Sequence, residues 1–391
     1  MTNIYLVEPQ YNGVPYIQKA IELNVEPVLV RRRCLEVPEF CKELIEQGRC
    51  REILVESIDV PQLADAISND ESYVDSSGIL AGNEFVVATV ALVANILNKP
   101  SVQAKTAWIC RDKRLMRIAL RRYSPERVCI DALADHHFPI VMKPALGTGS
   151  FDVRIVKSRA AVDEYRQSAD SHWMESRNSY DRRPGLIAER FISGPEYSVE
   201  MFWYENKCLF RSLTKKYKRG NEENFVERAH CCPAHVDETS RMRLLEFAET
   251  IASDAGVSIG PCHLELIDSG DGIYLVELAV RQPGDCIPIL LQQALGVDLY
   301  AAGICSALAK SPERHLTPIM DKASAIIFSF TSAEHERLRK LNFVVQEHRN
   351  TGYREVVSNS FDRFGWVMLE HEKRDELQQI VVNSLPIRDR G

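Results

Sequence analysis

The chain has 391 residues, 45% hydrophobic and 26% charged, with a formal net charge of −7 at pH 7. This composition is globular, the length suits two or three domains, and an acidic balance with scattered basic residues argues against a nucleic-acid partner. No apolar run approaches the roughly 20 residues of a membrane span, no basic leader precedes the first strand, and the 11 cysteines include no CxxC, so a cytoplasmic protein with reduced cysteines is expected.

Ile4 to Val7 reads as a strand, Tyr16 to Leu23 as a helix and Val25 to Val30 as a second strand. This opening predicts a parallel sheet with a right-handed crossover. The loop Glu8 to Gly13 holds one glycine and no GxGxxG, so no dinucleotide site is expected there. A helix over Val37 to Gln47, a strand over Glu52 to Val55 and a helix over Val60 to Ser68 continue the alternation. Gly78 to Glu84 then lead into an apolar helix from Phe85 to Leu97. Asn83 can cap that helix, and Glu84 lies in the first turn, where the dipole favours negative charge. Lys99-Pro100-Ser101 has the composition of a boundary.

Thr106 to Leu120 reads as one basic helix containing Lys113. Phe138 to Lys143 is an apolar strand ending in lysine, followed by Pro144-Ala145-Leu146-Gly147-Thr148-Gly149-Ser150 and a strand over Val153 to Val156. A Gly-Thr-Gly-Ser loop can present unobstructed backbone N–H groups as an anion cradle, and Lys143 would stand beside it as a point charge, exposed when no nucleotide is bound. An ordinary hairpin turn is the other reading. Ala160 to Arg183 is helical first and then polar, before a strand over Leu186 to Phe191 that carries Glu189. Between it and a strand over Ser198 to Tyr204, extended backbone at a crossing of two sheets would suit an adenine edge. Glu196 would then suit two ribose hydroxyls. Two plain strands around a turn fit the same residues. Thr214 to Asn224 is polar and a candidate lid, or a solvated loop.

Gly260 to Asp285 contains two strands, His263 to Ile267 and Ile273 to Leu278, around an Asp-Ser-Gly-Asp-Gly turn. Each carries one carboxylate, Glu265 and Glu277, which pairing across the turn can bring together. Two adjacent acids repel unless a cation or proton separates them, and Mg²⁺ is commonly held by one or two carboxylates plus substrate phosphates. Arg281 adds a planar donor fork for phosphate or carboxylate. A sheet-edge hairpin with solvated acids is the alternative. Asp285, past the Pro283-Gly284 turn, is either a substrate-pocket charge or a solvated turn residue.

Taken together, Lys113, Lys143 with Gly147-Thr148-Gly149, Glu189 to Glu196, and Glu265 with Glu277 occur in the order and approximate spacing of the ATP-grasp ligases, which the chain resembles over nearly its whole length. Phe225-Val226-Glu227-Arg228-Ala229-His230-Cys231-Cys232-Pro233 and Asp362-Arg363-Phe364-Gly365-Trp366-Val367 are similar to motifs of the L-amino-acid ligase and carnosine-synthase-like branch. Glu277-Leu278-Ala279-Val280-Arg281 carries alanine where the wider family has asparagine.

The resemblance implies an α/β, in part α+β, ATP-grasp fold. It would comprise an N-terminal parallel-sheet domain (1–104), a small central lid (105–190) and a C-terminal antiparallel-sheet domain (191–391). It implies ATP and Mg²⁺, with Mn²⁺ as a substitute. Lys113 and Lys143 would hold phosphates under the Gly147-Thr148-Gly149 loop, with Glu189 in the nucleotide site. Backbone at Arg190 to Ile192 would hold adenine, Glu196 ribose, and Glu265 and Glu277 the metal. Arg281 would bind an acyl phosphate, Glu227 and His230 would line the acceptor site, with Glu227 a candidate base, and Glu84 and Asp285 would face substrate. The implied activity is an ADP-forming carboxylate–amine ligase of small-molecule or secondary metabolism, with small-molecule carboxylate and amine partners and room for a homodimer. An ATP-binding module without ligase activity is the contrasting expectation.

Overall fold

The computed structural model describes residues 2–175, 185–218, 225–351, 353–354 and 359–386. The chain opens with β1 (Asn3–Val7), α1 (Pro15–Glu22), β2 (Glu26–Arg32), α2 (Glu39–Glu46), β3 (Arg51–Val55), α3 (Val60–Ser68), β4 (Gly78–Ala81) and α4 (Val87–Ile96). The four strands form a parallel sheet in the order β3-β2-β1-β4. Every residue of β1 is buried, as expected for a parallel strand covered on both faces.

Two short helices follow, α5 (Ala104–Arg111) and α6 (Lys113–Ala119). Then come β5 (Ile140–Pro144), β6 (Arg154–Val156), α7 (Arg159–Glu175) and β7 (Leu186–Arg190), whose strands pair antiparallel in the order β6-β5-β7. The remainder runs β8 (Glu196–Tyr204), β9 (Lys207–Lys218), β10 (Glu227–Cys232), α8 (Glu238–Asp254), β11 (Gly260–Asp268), β12 (Ile273–Ala279), α9 (Ile287–Leu295) and α10 (Leu299–Ala307). It ends with α11 (Glu313–Leu316), β13 (Ala323–Ser329), α12 (Ser332–Leu338), β14 (Val344–Arg349), β15 (Gly365–His371) and α13 (Arg374–Ser384). Its eight strands form one antiparallel sheet, ordered β12-β11-β8-β9-β10-β13-β15-β14. The crossing from β7 to β8 therefore passes from one sheet to another, as the Leu186 to Tyr204 reading anticipated. No single helix among the described residues is long and apolar enough to cross a membrane.

The sheets share core. Tyr300, Ile304, Ala307 and Leu308 of α10 and the turn after it pack with Ile4 and Leu6 of β1 and with Tyr16 and Ile17 of α1. An edge contact between the Tyr16 and Tyr300 rings, centroids 5.0 Å apart, joins α1 to α10. The N-terminal sheet is thus completed by a helix almost three hundred residues downstream.

Two expectations are corrected and one element is added. Thr106 to Leu120 is two helices, because Asp112 is extended (φ −102°, ψ 111°) and its side chain accepts the Arg114 N–H at 2.8 Å, starting a new helix. Gly78–Ala81 is a strand, too short for its periodicity to show. Thr214 to Lys218 belongs to β9 rather than to a mobile lid. Its lysines enter a sheet because Lys216 meets carboxylates and Lys215 lies 4.5 Å from the Tyr197 ring centre. The rest of that run, 219–224, and the polar loop 177–184 lie outside the described residues.

The break at Asp112 sets Lys113 at the head of α6, its N–H bonded to Ala145 O at 3.0 Å. Replacing a capping Asp by Ala costs about 0.5–2 kcal/mol. Asp112→Ala is expected to lower unfolding free energy by that amount in urea titrations; unchanged stability would remove the cap from the account.

Candidate active site

The three sheets enclose a cleft of about 450 Å³, and every site residue named from the sequence lines it. At one end β5 and β7 pair with Val141 opposite Glu189 and Lys143 opposite Ile187. Glu189 and Lys143 are therefore diagonal neighbours on one face, with Lys143 Nζ 2.8 Å from Glu189 Oε2. Arg117 of α6 donates to the other oxygen of Glu189 and, through Nη2, to Val276 O at 2.6 Å. One correction follows: Lys143 is only 5% exposed rather than solvent-facing. Glu189, which lines the cleft, is the counter-charge of two buried cations.

Burial would raise the Glu189 carboxyl, but Arg117 and Lys143 outweigh it and hold it at about 2. Burial lowers Lys143 to about 8, with Glu189 opposing. Glu189 is favoured in its charged form because it serves two cations, whereas Lys143 is disfavoured in its charged form because it has one partner and feels Arg117 and Lys113 as repulsion.

The glycine-rich loop is tied down at both ends. Lys113 Nζ donates to Gly147 O at 2.9 Å. Gly149 is left-handed (φ +64°), a conformation that favours glycine, and a Cβ there would come within 3.1 Å of the Phe361 ring. Thr148 O accepts from Phe151 N at 3.3 Å. In the crossing segment, Arg190 N–H donates to Glu126 O at 2.9 Å, and the Arg190 side chain bonds the Tyr274 hydroxyl at 3.0 Å. Ile192 is buried beside it. Glu196 pairs with Lys216 at 3.3 Å and with Lys218.

In the hairpin, Glu265 and Glu277 are direct register partners. Cations keep them apart. Lys113 Nζ stands 3.2 Å from Glu277 Oε1, and Glu265 Oε1 accepts from Lys216. His263 bridges Glu265 at 3.2 Å and the fully buried Glu200 at 2.9 Å, and Thr214 donates to Glu200 at 2.6 Å. Burial alone would neutralise His263, but its two carboxylate partners push it up to about 9. No group of three or more His, Cys, Asp or Glu suited to a metal occurs among the described residues. Two facing carboxylates, each about a fifth exposed, fit a cation whose remaining ligands are phosphate oxygens and water.

At the far end Arg281 donates to Glu84 and, through Nη1, to Gln282 O at 2.7 Å, with Arg111 4.0 Å from the same carboxylate. Glu227 accepts on one oxygen from Ser150 (3.3 Å), with Lys216 at 3.4 Å. On the other it accepts from Ser360 (3.1 Å) and Arg363 (3.0 Å). Asp285 accepts from Arg363 at 2.7 and 3.2 Å and meets His230 Nε2 at 3.0 Å. Burial would raise the Asp285 carboxyl, but Arg363 and His230 hold it well below the usual carboxylate range. Sequence reasoning missed Arg117, Glu200, Lys216, His263 and Arg363 as site residues. A signal existed for the last, within the Asp362 to Val367 motif; Glu200 and His263 are single polar residues in apolar strands, and Arg117 and Lys216 sit in basic runs whose partners are distant in sequence.

Loss of the Glu189 charge would leave Arg117 and Lys143 buried and uncompensated, a cost of about 3–5 kcal/mol. Because the folded carboxyl sits at about 2, below its ordinary 4.5, its stabilisation is complete above pH 4.5 and is lost as pH falls toward 2. Urea unfolding of Glu189→Gln should show the deficit at pH 7 and a flatter acid limb than wild type; an identical acid limb would place that acid sensitivity elsewhere.

The ATP-grasp domain family model matches residues 136–289. The chain is 23% identical over 319 residues to an uncharacterised protein of Sinorhizobium fredii, covering 78% of this chain and 63% of that protein. It is 23% identical over 184 residues to the L-arginine-specific L-amino acid ligase of Bacillus subtilis, covering 46% of this chain and 43% of the ligase. These matches thus span less than two thirds of either relative's own length. The crystal structure of L-amino acid ligase from Bacillus licheniformis superposes with a TM-score of 0.77 at 19% identity, covering 98% of this chain and 97% of that one. Residues 136–289 thus match the ATP-grasp domain family, and the chain as a whole has the fold seen in L-amino acid ligase.

Proposed function

We propose that the protein is an ATP-dependent carboxylate–amine ligase that proceeds through an acyl phosphate. The observation that carries this reading is one cleft holding two lysines, two register-paired carboxylates and an arginine fork. In the first step a carboxylate oxygen attacks the γ-phosphorus of ATP, the bond to the bridging oxygen breaks and ADP leaves. The amine nitrogen then attacks the acyl carbon, the carbon–oxygen bond to phosphate breaks, and phosphate and one proton depart with formation of the amide.

Phosphoryl transfer of this kind depends mainly on positioning and charge neutralisation. Lys113 and Lys143 are the phosphate-facing cations of this reading, and Glu265 with Glu277 would hold Mg²⁺, which supplies charge neutralisation on the phosphates. Glu196 Oε1 makes no hydrogen bond among the described residues, although Lys216 is near, so it keeps an acceptor for a ribose hydroxyl. The segment around Ile192 is the adenine wall. Arg281 faces the acyl phosphate, and Glu227, His230 and Asp285 form the amine end. Both oxygens of Glu227 already accept hydrogen bonds, which suits holding an amine better than taking its proton. The L-amino acid ligase relatives favour amino acids as substrates, and the division at residues 104 and 190 is our working domain scheme.

Two measurements test the reading. ADP release should require an added carboxylate, and Glu277→Gln should abolish it with an unchanged circular dichroism spectrum. Nucleotide binding without turnover for any carboxylate and amine pair would favour an ATP-binding module, and AMP with pyrophosphate would mean an acyl adenylate. Separately, Lys143→Ala should weaken nucleotide binding at least about tenfold, or roughly 1.4 kcal/mol; equal affinity would remove Lys143 from the phosphate site.

A further inference from the structure

The stretch Asp362 to Val367 has no part in the steps above, yet it delivers a guanidinium to the amine end of the cleft. Arg363 is 3% exposed and its carbon lies 3.6 Å from the Phe328 ring centre, so packing fixes the plane of its fork. One edge of that fork takes both oxygens of Asp285, at 2.7 and 3.2 Å, and Nη2 also reaches Glu227 at 3.0 Å. Glu227 stands in β10, whereas Asp285 lies in the turn between β12 and α9. One side chain therefore joins the two carboxylates, alongside the His230 contact that also links β10 to that turn.

The turn that Arg363 grips is strained. Asp285 and Cys286 are consecutive non-glycine residues with φ of 52° and 60°, a left-handed pairing that persists only where the surroundings over-determine it. Arg363 and His230 are the groups that hold the Asp285 carboxylate. The arginine is itself well anchored. Asn350 bonds the Arg363 carbonyl at 2.8 Å, Phe364 N–H reaches Ser329 O at 2.9 Å, and Asn359 and Asp362 close the preceding turn at 2.9 Å. Without the cation, Glu227 and Asp285 would repel and the strained turn would lose its hold.

We propose that Arg363 is a positioning residue for amine transfer, its fork holding Asp285 and Glu227 together as the wall against which the acceptor amine is placed. The proposal rests on the ligase reading above. It assigns Arg363 no contact with ATP, so carboxylate activation should survive its loss. A planar bidentate fork is not replaceable by an ammonium, so lysine should fail as well.

The test compares wild type, Arg363→Lys and Arg363→Met with the proteinogenic L-amino acids as both carboxylate and amine, with and without hydroxylamine. Hydroxylamine is small enough to intercept an acyl phosphate without the acceptor wall, giving a hydroxamate and phosphate. Both variants are expected to bind the ATP analogue AMP-PNP within about threefold of wild type and to keep forming hydroxamate. Their ratio of amide to hydroxamate should fall at least about tenfold. Should Arg363→Met not fold, Arg363→Lys, which keeps the charge and most of the volume, decides. A wild-type ratio in the folded variants would overturn the proposal. So would parallel loss of amide, hydroxamate and AMP-PNP binding, which marks a merely structural arginine. Neither product from wild type with any amino acid would defeat the ligase reading and the proposal with it.

Discussion

Buried charge must be compensated, and that constraint organises the cleft. Removing a carboxylate or ammonium from water costs several kcal/mol even after relaxation, so the ionic groups lining the cleft are held against counter-charges. Lys143 rests on Glu189, Lys113 on Glu277, Arg281 on Glu84, and Lys216 among Glu196, Glu227 and Glu265. A polyphosphate with its metal offers the same charges in a new arrangement: phosphates for the lysines and a divalent cation for the carboxylates. Binding of such a ligand exchanges partners rather than creating or stranding charge. This makes a pre-formed site compatible with folding in the ligand's absence.

The pairs also do structural work. Lys216 sits near the end of β9 and ties β8, β10 and β11 through one ammonium. Glu227 connects the glycine-rich loop, through Ser150, to the Ser360 to Arg363 turn. Side chains that would handle substrate are thereby the same ones that hold three sheets around the cleft. Changes at these positions should be read with stability measured alongside activity, since folded proteins have only about 5–15 kcal/mol in hand.

Much of this was legible in the chain. The opening β-α-β alternation announced a parallel sheet, and the Gly260 to Asp285 hairpin placed Glu265 across from Glu277, as the register now shows. Those features are local, set by periodicity and turn chemistry within a few residues. What escaped the sequence depended on distant partners. Nothing near Lys143 indicates Glu189 and Arg117 as neighbours, so an exposed lysine was the natural expectation. Thr214 to Lys218 has the composition of a loop, and only carboxylates from three other strands make it a strand. The core of the first sheet likewise needs α10, and no pattern in residues 1–104 reveals a missing cover.

The central claim is that a carboxylate is activated by phosphorylation in this cleft. It is tested most directly by isotope transfer, using a carboxylate substrate labelled with ¹⁸O on both oxygens and any amine that supports turnover. Acyl phosphate chemistry predicts one ¹⁸O in each phosphate released and none in ADP, because the carboxylate oxygen that attacked phosphorus leaves with it. Unlabelled phosphate, or label appearing in AMP, would contradict the account.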